Sequence, residues 1–300
     1  MIDDRRYWID EISGMETAYF NGEYLPFGEI RISPDDRGFL FADGIYEVVR
    51  WYEGGFFFDM EGHTARLKRS LREIRINWTG SDSFPSIARE LVERNDLTGS
   101  PVLVYLQVTR GTAKRSHAFP VPAVTPTVYA FARSFVPARD LIASGIGVTL
   151  VEDPRWKRCD IKSVALLPNI LSFQDARETG CYESVFVKNG FITECAHSNI
   201  FLVINGTLFT HPENENILSG ITRKNVIRIA NAEGMNLKEV PVNEESLGDV
   251  SEAFVTNTSF EIAPVIAINN KPVGDGRPGP VTLFLREKFD AGLAALKARP

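Results

Sequence analysis

Cysteine and histidine are scarce in this sequence of 300 residues. The three cysteines, Cys159, Cys181 and Cys195, are an odd number without C-x-x-C spacing, so we expect neither a disulfide framework nor a zinc site. The four histidines include none at H-E-x-x-H spacing. The sequence therefore predicts a protein without a metal centre.

Long apolar runs and clusters of like charge are also missing. No stretch approaches the ~20 consecutive apolar residues that a membrane-spanning helix needs. Residues 1–20 place acidic side chains before any apolar stretch, which is not the order of a secretory signal. The net charge of −6 argues against nucleic acid or an acidic membrane surface as a partner. We therefore expect a cytoplasmic protein.

The sequence does contain the composition of a globular protein with a sizeable core, since 44% of its residues are hydrophobic and 24% are charged. Its length suits two domains. The stretch Ser134–Arg139 carries Val136-Pro137 between two structured runs, which is typical of a linker. We predict a small N-terminal domain over residues 1–134, a linker over 135–139 and a larger C-terminal domain over 140–300.

Asn-Gly pairs at residues 21–22, 189–190 and 205–206 predict tight hairpins, because this dipeptide adopts the positive φ angles of a two-residue turn. Tight hairpins and few β-α-β units favour mostly antiparallel sheets, and hence the α+β class. Five segments are predicted as helices: residues 62–76, 84–95, 171–179, 222–233 and 281–298.

Lys162 stands out among the ten lysines because apolar residues flank it on both sides, Ile161 before it and Val164-Ala165-Leu166-Leu167 after it. These flanks predict a partly buried amine. An amine that forms an imine must be unprotonated, and burial favours that form. The alternative is a lysine at the end of a strand with its head in solvent.

Two further segments have the composition of an anion site. Ser219-Gly220-Ile221-Thr222 opens a predicted helix, whose first N–H groups can bind a phosphate; an ordinary N-cap by Ser219 or Thr222 is the favoured alternative. Arg115-Ser116-His117 offers donors for a carboxylate, and its alternative is a polar loop.

Arg66 and Glu194 are less distinctive. Arg66 shares a predicted helix with three other arginines, and such a run is usually a solvated face. Glu194 follows a predicted strand, where most acidic residues are exposed. Taken one by one, neither residue indicates a function.

Five runs, taken in order, resemble those of the fold type IV aminotransferases, and most closely the bacterial D-amino acid aminotransferases. They are DRGFLFADGIYEVVR (36–50), QVTRGTAKRSHAFP (107–120), VEDPRWKRCDIKSVALL (151–167), ILSGITR (217–223) and VTNTSFEIAPV (255–265). The resemblance extends from Thr17 to Lys271. It implies an α+β fold with a small N-terminal α/β sandwich domain and a larger C-terminal pseudo-barrel domain that binds the cofactor.

The resemblance also implies roles for individual residues around pyridoxal 5′-phosphate. Lys162 would form the Schiff base, or internal aldimine, with the cofactor and move the proton at the substrate Cα. Glu194 would face the pyridine nitrogen, and Arg66 would pair with the phosphate. The phosphate site would be completed by backbone and hydroxyl donors of Ile221, Thr222 and Thr258.

For the substrate, the resemblance implies that Tyr46, Arg115 and His117 bind the α-carboxylate. The loop with Arg115 and His117 would enter the neighbouring subunit's site, so a homodimer is implied, with its active site at the subunit interface. The implied reaction is ping-pong transamination between a D-amino acid, such as D-alanine or D-glutamate, and a 2-oxo acid, 2-oxoglutarate or pyruvate.

Several positions depart from the family pattern. Ala196 and His197 stand where the family pattern has serines, and Asn257 replaces a serine of the phosphate site. An (R)-selective amine transaminase, a branched-chain L-amino acid aminotransferase and a 4-amino-4-deoxychorismate lyase share this fold and stay open as alternatives. A non-catalytic binding protein of the same fold is disfavoured, because filling a core requires neither Lys162 nor Glu194.

Overall fold

The computed structural model describes residues 16–298, which form two compact units. The N-terminal unit takes the described residues up to Val136 together with Ile161–Leu166. The C-terminal unit takes Pro137–Asp160 and the described residues from Leu167 onward. Lys162 therefore lies in the N-terminal unit, whereas the predicted limits assigned it to the domain over 140–300. The predicted domain limits stay a prediction.

A six-stranded antiparallel sheet forms the centre of the N-terminal unit, in the order β2-β1-β6-β5-β3-β4. Its strands are β1 (Thr17–Phe20), β2 (Glu23–Pro26), β3 (Gly44–Tyr52), β4 (Phe56–Phe57), β5 (Val102–Thr109) and β6 (Thr127–Ser134). Asn21 and Gly22 join β1 to β2 with φ angles of 51° and 103°. The predicted hairpin is therefore confirmed at these residues.

Three helices belong to the same unit: α1 (Arg37–Phe41), α2 (Met60–Glu73) and α3 (Phe84–Arg94). Leu67 and Leu71 lie four residues apart on α2, and both are buried in the core of this unit. That spacing places them on one face of the helix, as the sequence predicted. Helix α1 was not predicted, because five residues are too few to show a helical period.

A ten-stranded sheet forms the centre of the C-terminal unit. Its strands are β7 (Ile146–Glu152), β8 (Glu183–Lys188), β9 (Phe191–Cys195), β10 (Asn199–Ile204), β11 (Thr207–Thr210), β12 (Leu237–Glu239), β13 (Val242–Asn243), β14 (Val250–Asn257), β15 (Glu261–Ile268) and β16 (Lys271–Pro272). The order is β12-β11-β10-β14-β15-β7-β8-β9-β13, and β16 pairs with β15. Most pairs are antiparallel, which confirms the α+β class.

The helices of this unit are α4 (Arg139–Ser144), α5 (Leu167–Glu178), α6 (Ile221–Ala232) and α7 (Pro280–Lys297). Across the described chain, the five long helices begin and end within about four residues of the predicted limits. Among residues 16–298, no helix has both the length and the apolar composition needed to cross a membrane. The core of the unit contains Val148, Val185 and Val255, all fully buried. This packing fixes the strand ends and loops that carry the candidate site residues.

Candidate active site

The segment with Lys162 is fixed by backbone hydrogen bonds to the start of β3. Tyr46 N donates to Lys162 O at 3.0 Å, and Val164 N donates to Gly44 O at 3.1 Å. The backbone N of Lys162 also donates to Ser70 Oγ on α2, at 3.3 Å. The backbone of Lys162 is therefore held by both strand β3 and helix α2.

The amine of Lys162 lies over an aromatic ring, with Nζ 4.3 Å from the ring centroid of Tyr46. The residue is partly buried. Among the described residues, no carboxylate forms an ion pair with Nζ, and no acceptor forms a hydrogen bond with it. Among the described residues, the Lys162 amine is therefore not committed to a structural salt bridge.

Next to this segment, Arg66 of α2 is buried rather than on a solvated face. Its guanidinium binds the Glu47 carboxylate of β3 through two bonds, Nε–Oε1 at 2.7 Å and Nη2–Oε2 at 2.9 Å. His63 Nδ1 lies 2.9 Å from Glu47 Oε2. Burial raises the pKa of Glu47, but the Arg66 charge and these hydrogen bonds outweigh it and lower the pKa to about 2. Glu47 thus fixes the direction of the Arg66 side chain.

Sequence reasoning missed Glu47 and His63, although a signal was present. Glu47 lies between Ile45 and Val49 in the alternation of β3, and all three side chains are buried. An acidic residue on the buried face of a strand requires a buried partner. His63 and Arg66, three residues apart on α2, are on one face of that helix and supply it.

In the C-terminal unit, Glu194 of β9 is a buried carboxylate with three donors. Arg155 Nη1 donates to its Oε1 at 2.5 Å, and Asn199 Nδ2 and Leu218 N donate to its Oε2 at 3.0 Å each. A carboxylate has about four acceptor positions, so one remains on Oε1 for a further N–H donor. Burial raises the pKa of Glu194 to about 7, against the opposing effect of the Arg155 charge.

Arg155 is itself held in place on its other side. Its Nε and Nη2 donate to Asp153 at 2.9 Å each, and Nη2 also donates to Asn216 O at 3.1 Å. Its guanidinium lies 4.2 Å from the ring centroid of Phe186. Sequence reasoning gave Arg155 no role. One arginine within a polar run carries no sign of the partner that lies 39 residues later in the chain.

The start of α6 differs from the expected N-cap. Gly220 occupies the N-cap position, so the N-cap residue has no side chain to accept a hydrogen bond from the first turn. Ser219 Oγ donates to Glu213, and Thr222 Oγ1 donates to Asn257 O. The expectation of a cap by Ser219 or Thr222 was wrong, because both hydroxyl groups have partners elsewhere. The uncapped N–H groups suit an anion.

Gly220 is required at this position by a close approach. A Cβ atom here would lie 2.0 Å from Asn199 Oδ1. Asn199 Nδ2 donates both to Glu194 Oε2 and to Leu218 O. Glu194 and the loop that leads into α6 are therefore held by one side chain.

Thr258 lies in the turn between β14 and β15, which Asn257 organises. Asn257 Oδ1 accepts hydrogen bonds from Ser259 N at 2.9 Å and from Phe260 N at 3.0 Å. Through its main-chain oxygen, Asn257 also accepts the 3.0 Å hydrogen bond from Thr222 Oγ1. The start of α6 at Thr222 is thus bonded to the turn that contains Thr258. The Thr222 hydroxyl donates its proton to Asn257 O in this contact.

The three residues expected to bind the substrate carboxylate form two groups within the N-terminal unit. Tyr46 lies beside Lys162. Arg115 and His117 are exposed on the loop between β5 and β6, and both contact the Phe41 ring. The ring centroid of Phe41 lies 5.0 Å from Arg115 Cζ and 5.5 Å from the ring centroid of His117. Among the described residues, no hydrogen bond or ring contact joins this pair to Tyr46.

Known proteins match most of this chain. A family model described as "Amino-transferase class IV" matches residues 44–268. A D-alanine aminotransferase from Staphylococcus haemolyticus is 39% identical over 277 residues, which cover 92% of this chain and 97% of the relative.

Solved structures match at a similar coverage. A branched-chain amino acid aminotransferase from Escherichia coli has a TM-score of 0.86 and 26% identity, covering 92% of this chain and 94% of that chain. A branched-chain amino acid aminotransferase from T.th., solved with pyridoxamine 5′-phosphate, has a TM-score of 0.83 and 25% identity, covering 92% of this chain and 93% of that chain.

Proposed function

The chain belongs to the class IV aminotransferases, and from this premise we propose that it exchanges amino groups between a D-amino acid and a 2-oxo acid, with pyridoxal 5′-phosphate as its cofactor. The observation that carries the proposal is the Lys162 amine, which the backbone holds firmly and which no described carboxylate neutralises. Such an amine is suited to covalent catalysis.

Lys162 has two tasks in this proposal. Its Nζ would hold the cofactor through the aldehyde carbon, and it would be released when the substrate amine takes its place there. The released Nζ removes the proton from the substrate Cα and returns it to the carbon that had carried the aldehyde oxygen. When bound, the cofactor accepts the electron pair left at Cα. Water would then release the product as a 2-oxo acid and leave the amino group on the cofactor. A second 2-oxo acid would take up that group by the reverse steps and release water, so we expect ping-pong kinetics.

The other predicted residues fit the remaining groups of the cofactor. Glu194 has one open acceptor position, which suits a protonated pyridine nitrogen. The uncapped start of α6, at Ile221 and Thr222, suits a phosphate, and Thr258 lies in the turn to which Thr222 is bonded. Arg66 brings a positive charge whose direction Glu47 fixes. These contacts support the assigned roles.

For the substrate, we assign the α-carboxylate to Tyr46, Arg115 and His117. Arg115 and His117 are exposed on their loop, and in a homodimer they would act on the partner subunit's substrate. Helix α5 supports self-association, because Leu167, Ile170 and Leu171 form an exposed apolar stripe, 66%, 59% and 56% accessible. We therefore propose a homodimer with its active site at the subunit interface.

A second candidate is a branched-chain L-amino acid aminotransferase, which the two solved structures favour by their names. The D-series is the better supported of the two, because identity to the D-alanine aminotransferase is 39%, against 26% to the branched-chain enzyme. An (R)-selective amine transaminase is the third candidate function. We further propose a cytoplasmic location, where the three buried thiols would stay reduced.

A donor panel tests the proposal. The purified protein with pyridoxal 5′-phosphate would be given D-alanine, D-glutamate, L-leucine or (R)-1-phenylethylamine, with 2-oxoglutarate or pyruvate as acceptor. We expect kcat/KM to be highest with the two D-amino acids. A preference for L-leucine would establish the second candidate instead, and a preference for the amine would establish the third.

A further inference from the structure

Glu183, the first residue of β8, is a fully buried carboxylate to which the proposed function gives no task. Its Oε1 accepts a hydrogen bond from the backbone N of His197 at 2.6 Å, and the ring Nδ1 of His197 lies 2.6 Å from the same oxygen, within ion-pair distance. Its Oε2 accepts one from Ser198 Oγ at 2.9 Å. A buried carboxylate is costly unless its oxygens are bonded, and here both hydrogen-bond donors and the neighbouring imidazole belong to one two-residue segment.

That segment connects Glu183 to the proposed phosphate site. Ser198 Oγ accepts a hydrogen bond from Asn257 Nδ2 at 3.2 Å. The other polar atoms of Asn257 hold the turn with Thr258 and receive the hydroxyl of Thr222. A continuous chain of hydrogen bonds therefore runs from Glu183 to both elements that would bind phosphate.

His197 is packed as well as bonded. Its ring lies 5.0 Å from Phe173 of α5, and 6.1 Å from Phe260, which ends the turn with Thr258. Tyr182 lies 6.2 Å away, between these contacts. The imidazole thus lies against α5 and the turn with 40% of its side chain exposed, and its Nδ1 is held beside Glu183 Oε1.

We propose that Glu183 and His197 are positioning residues for the cofactor phosphate, and that they act through Ser198 and Asn257. The inference rests on the proposed function, because it requires a phosphate at Thr222 and Thr258. Neither Glu183 nor His197 needs to touch the phosphate. Their contribution is to hold the turn and the start of α6 in place before the phosphate arrives, so that binding does not have to order them.

Glu252 provides a matched control within the same unit. It too is a buried carboxylate, and its donors are Val281 N, Thr282 N and Thr282 Oγ1. These donors belong to the start of α7 rather than to the proposed phosphate site. Glu252→Gln therefore reproduces the loss of a buried carboxylate without touching the hydrogen-bond chain to Asn257.

The experiment measures the Kd of the cofactor-free protein for pyridoxal 5′-phosphate and for pyridoxal, which lacks the phosphate, by equilibrium dialysis. We expect Glu183→Gln and Ser198→Ala to raise the Kd for pyridoxal 5′-phosphate about three- to tenfold, the effect of one hydrogen bond. The Kd for pyridoxal should change by less than about twofold. Glu252→Gln should lower Tm and leave the ratio of the two Kd values as it is in the parent.

A parent that prefers pyridoxal 5′-phosphate, with a ratio that survives Ser198→Ala and Glu183→Gln, would overturn the positioning role and leave the proposed function intact. Equal affinity of the parent for both compounds would overturn the phosphate site and the positioning role together. If Glu183→Gln does not fold, Ser198→Ala decides the question, because it cuts the link to Asn257 and leaves the pair of Glu183 and His197 in place.

Discussion

At the scale of single residues, the charge of Glu194 is set by two opposing influences. Burial raises its pKa to about 7, and the Arg155 guanidinium acts against that rise. A carboxylate that is to hold a proton on a pyridine nitrogen must be ionised. In the proposed function, Arg155, which Asp153 holds in place, would therefore act through the charge of Glu194 rather than by contact with the substrate.

Arg155→Met removes this opposing charge, so we predict that the pKa of Glu194 rises above about 7. Less of the carboxylate is then ionised at neutral pH. The acid limb of the pH profile of kcat/KM for D-alanine should move to higher pH, and the rate at neutral pH should fall roughly tenfold. Arg158→Met is the control, because the Arg158 guanidinium pairs with Asp160 rather than with Glu194. Superimposable profiles for Arg155→Met and Arg158→Met would contradict this account.

A second prediction at this scale concerns Arg115. Replacing it by Leu removes two parallel donors for a carboxylate, so kcat/KM for D-alanine should fall roughly ten- to a hundredfold. The value for (R)-1-phenylethylamine should change much less, since that amine has no carboxylate. Lys114→Leu, at the exposed neighbouring position, is the control. If Arg115→Leu leaves the ratio of the two kcat/KM values unchanged, the arginine is not part of a carboxylate site.

At the scale of elements, β3 and α2 are joined by the ion pair of Glu47 and Arg66. Removing one partner of a buried pair leaves the other charge without compensation, at a cost of about 3–5 kcal/mol. Glu47→Gln should therefore lower the free energy of urea unfolding by about that amount at neutral pH. Glu90→Gln is the control, because Glu90 pairs with Arg94 on the exposed face of α3, where such pairs contribute ~0–1 kcal/mol.

The pH dependence of this pair has a definite sign. The pKa of Glu47 is lowered from 4.5 to about 2, so its stabilisation is present above 4.5 and is lost as pH falls towards 2. Between these two pH values the parent should lose more stability than Glu47→Gln does, by urea unfolding of the cofactor-free protein. If the parent and Glu47→Gln lose equal unfolding free energy over this pH range, the pKa of Glu47 is not lowered and the account of the pair is contradicted.

The elements also show what the sequence can and cannot predict. The long helices and the Asn-Gly hairpin at residues 21–22 depend on local periodicity and turn chemistry, and both were predicted. The N-cap of α6 was not predicted correctly, because Ser219 and Thr222 have hydrogen-bond partners that only the folded chain supplies. The pairing of Arg155 with Glu194 was missed for the same reason. Family motifs located the candidate residues, and the structure supplied their partners.

At the scale of the whole molecule, the chain crosses between its two compact units more than once. Ile161–Leu166 belongs to the N-terminal unit, although the residues on both sides of it belong to the C-terminal unit. Lys162 is thus tied to β3 and α2 rather than to the strands nearest to it in sequence. Its position follows from hydrogen bonds that join distant parts of the chain.

The proposed dimer gives a prediction at this scale. Ile170→Asp places a charge in the exposed apolar stripe of α5, so it should shift the protein from dimer to monomer in sedimentation velocity. Activity should fall with the dimer, because Arg115 and His117 would then lack a partner subunit's substrate. Leu283→Asp, at an exposed apolar position of α7, is the control and should stay dimeric. A dimeric, fully active Ile170→Asp protein would exclude α5 from the interface.

The most direct test of the central claim is to locate the covalent bond to the cofactor. The protein would be incubated with pyridoxal 5′-phosphate, reduced with borohydride, digested and mapped by mass spectrometry, with Lys162→Ala treated in parallel. We expect a yellow absorbance that disappears on reduction, one phosphopyridoxyl group on the peptide with Lys162, and none in Lys162→Ala. A stable adduct on another lysine of the parent, or an equal adduct in Lys162→Ala, would contradict the account.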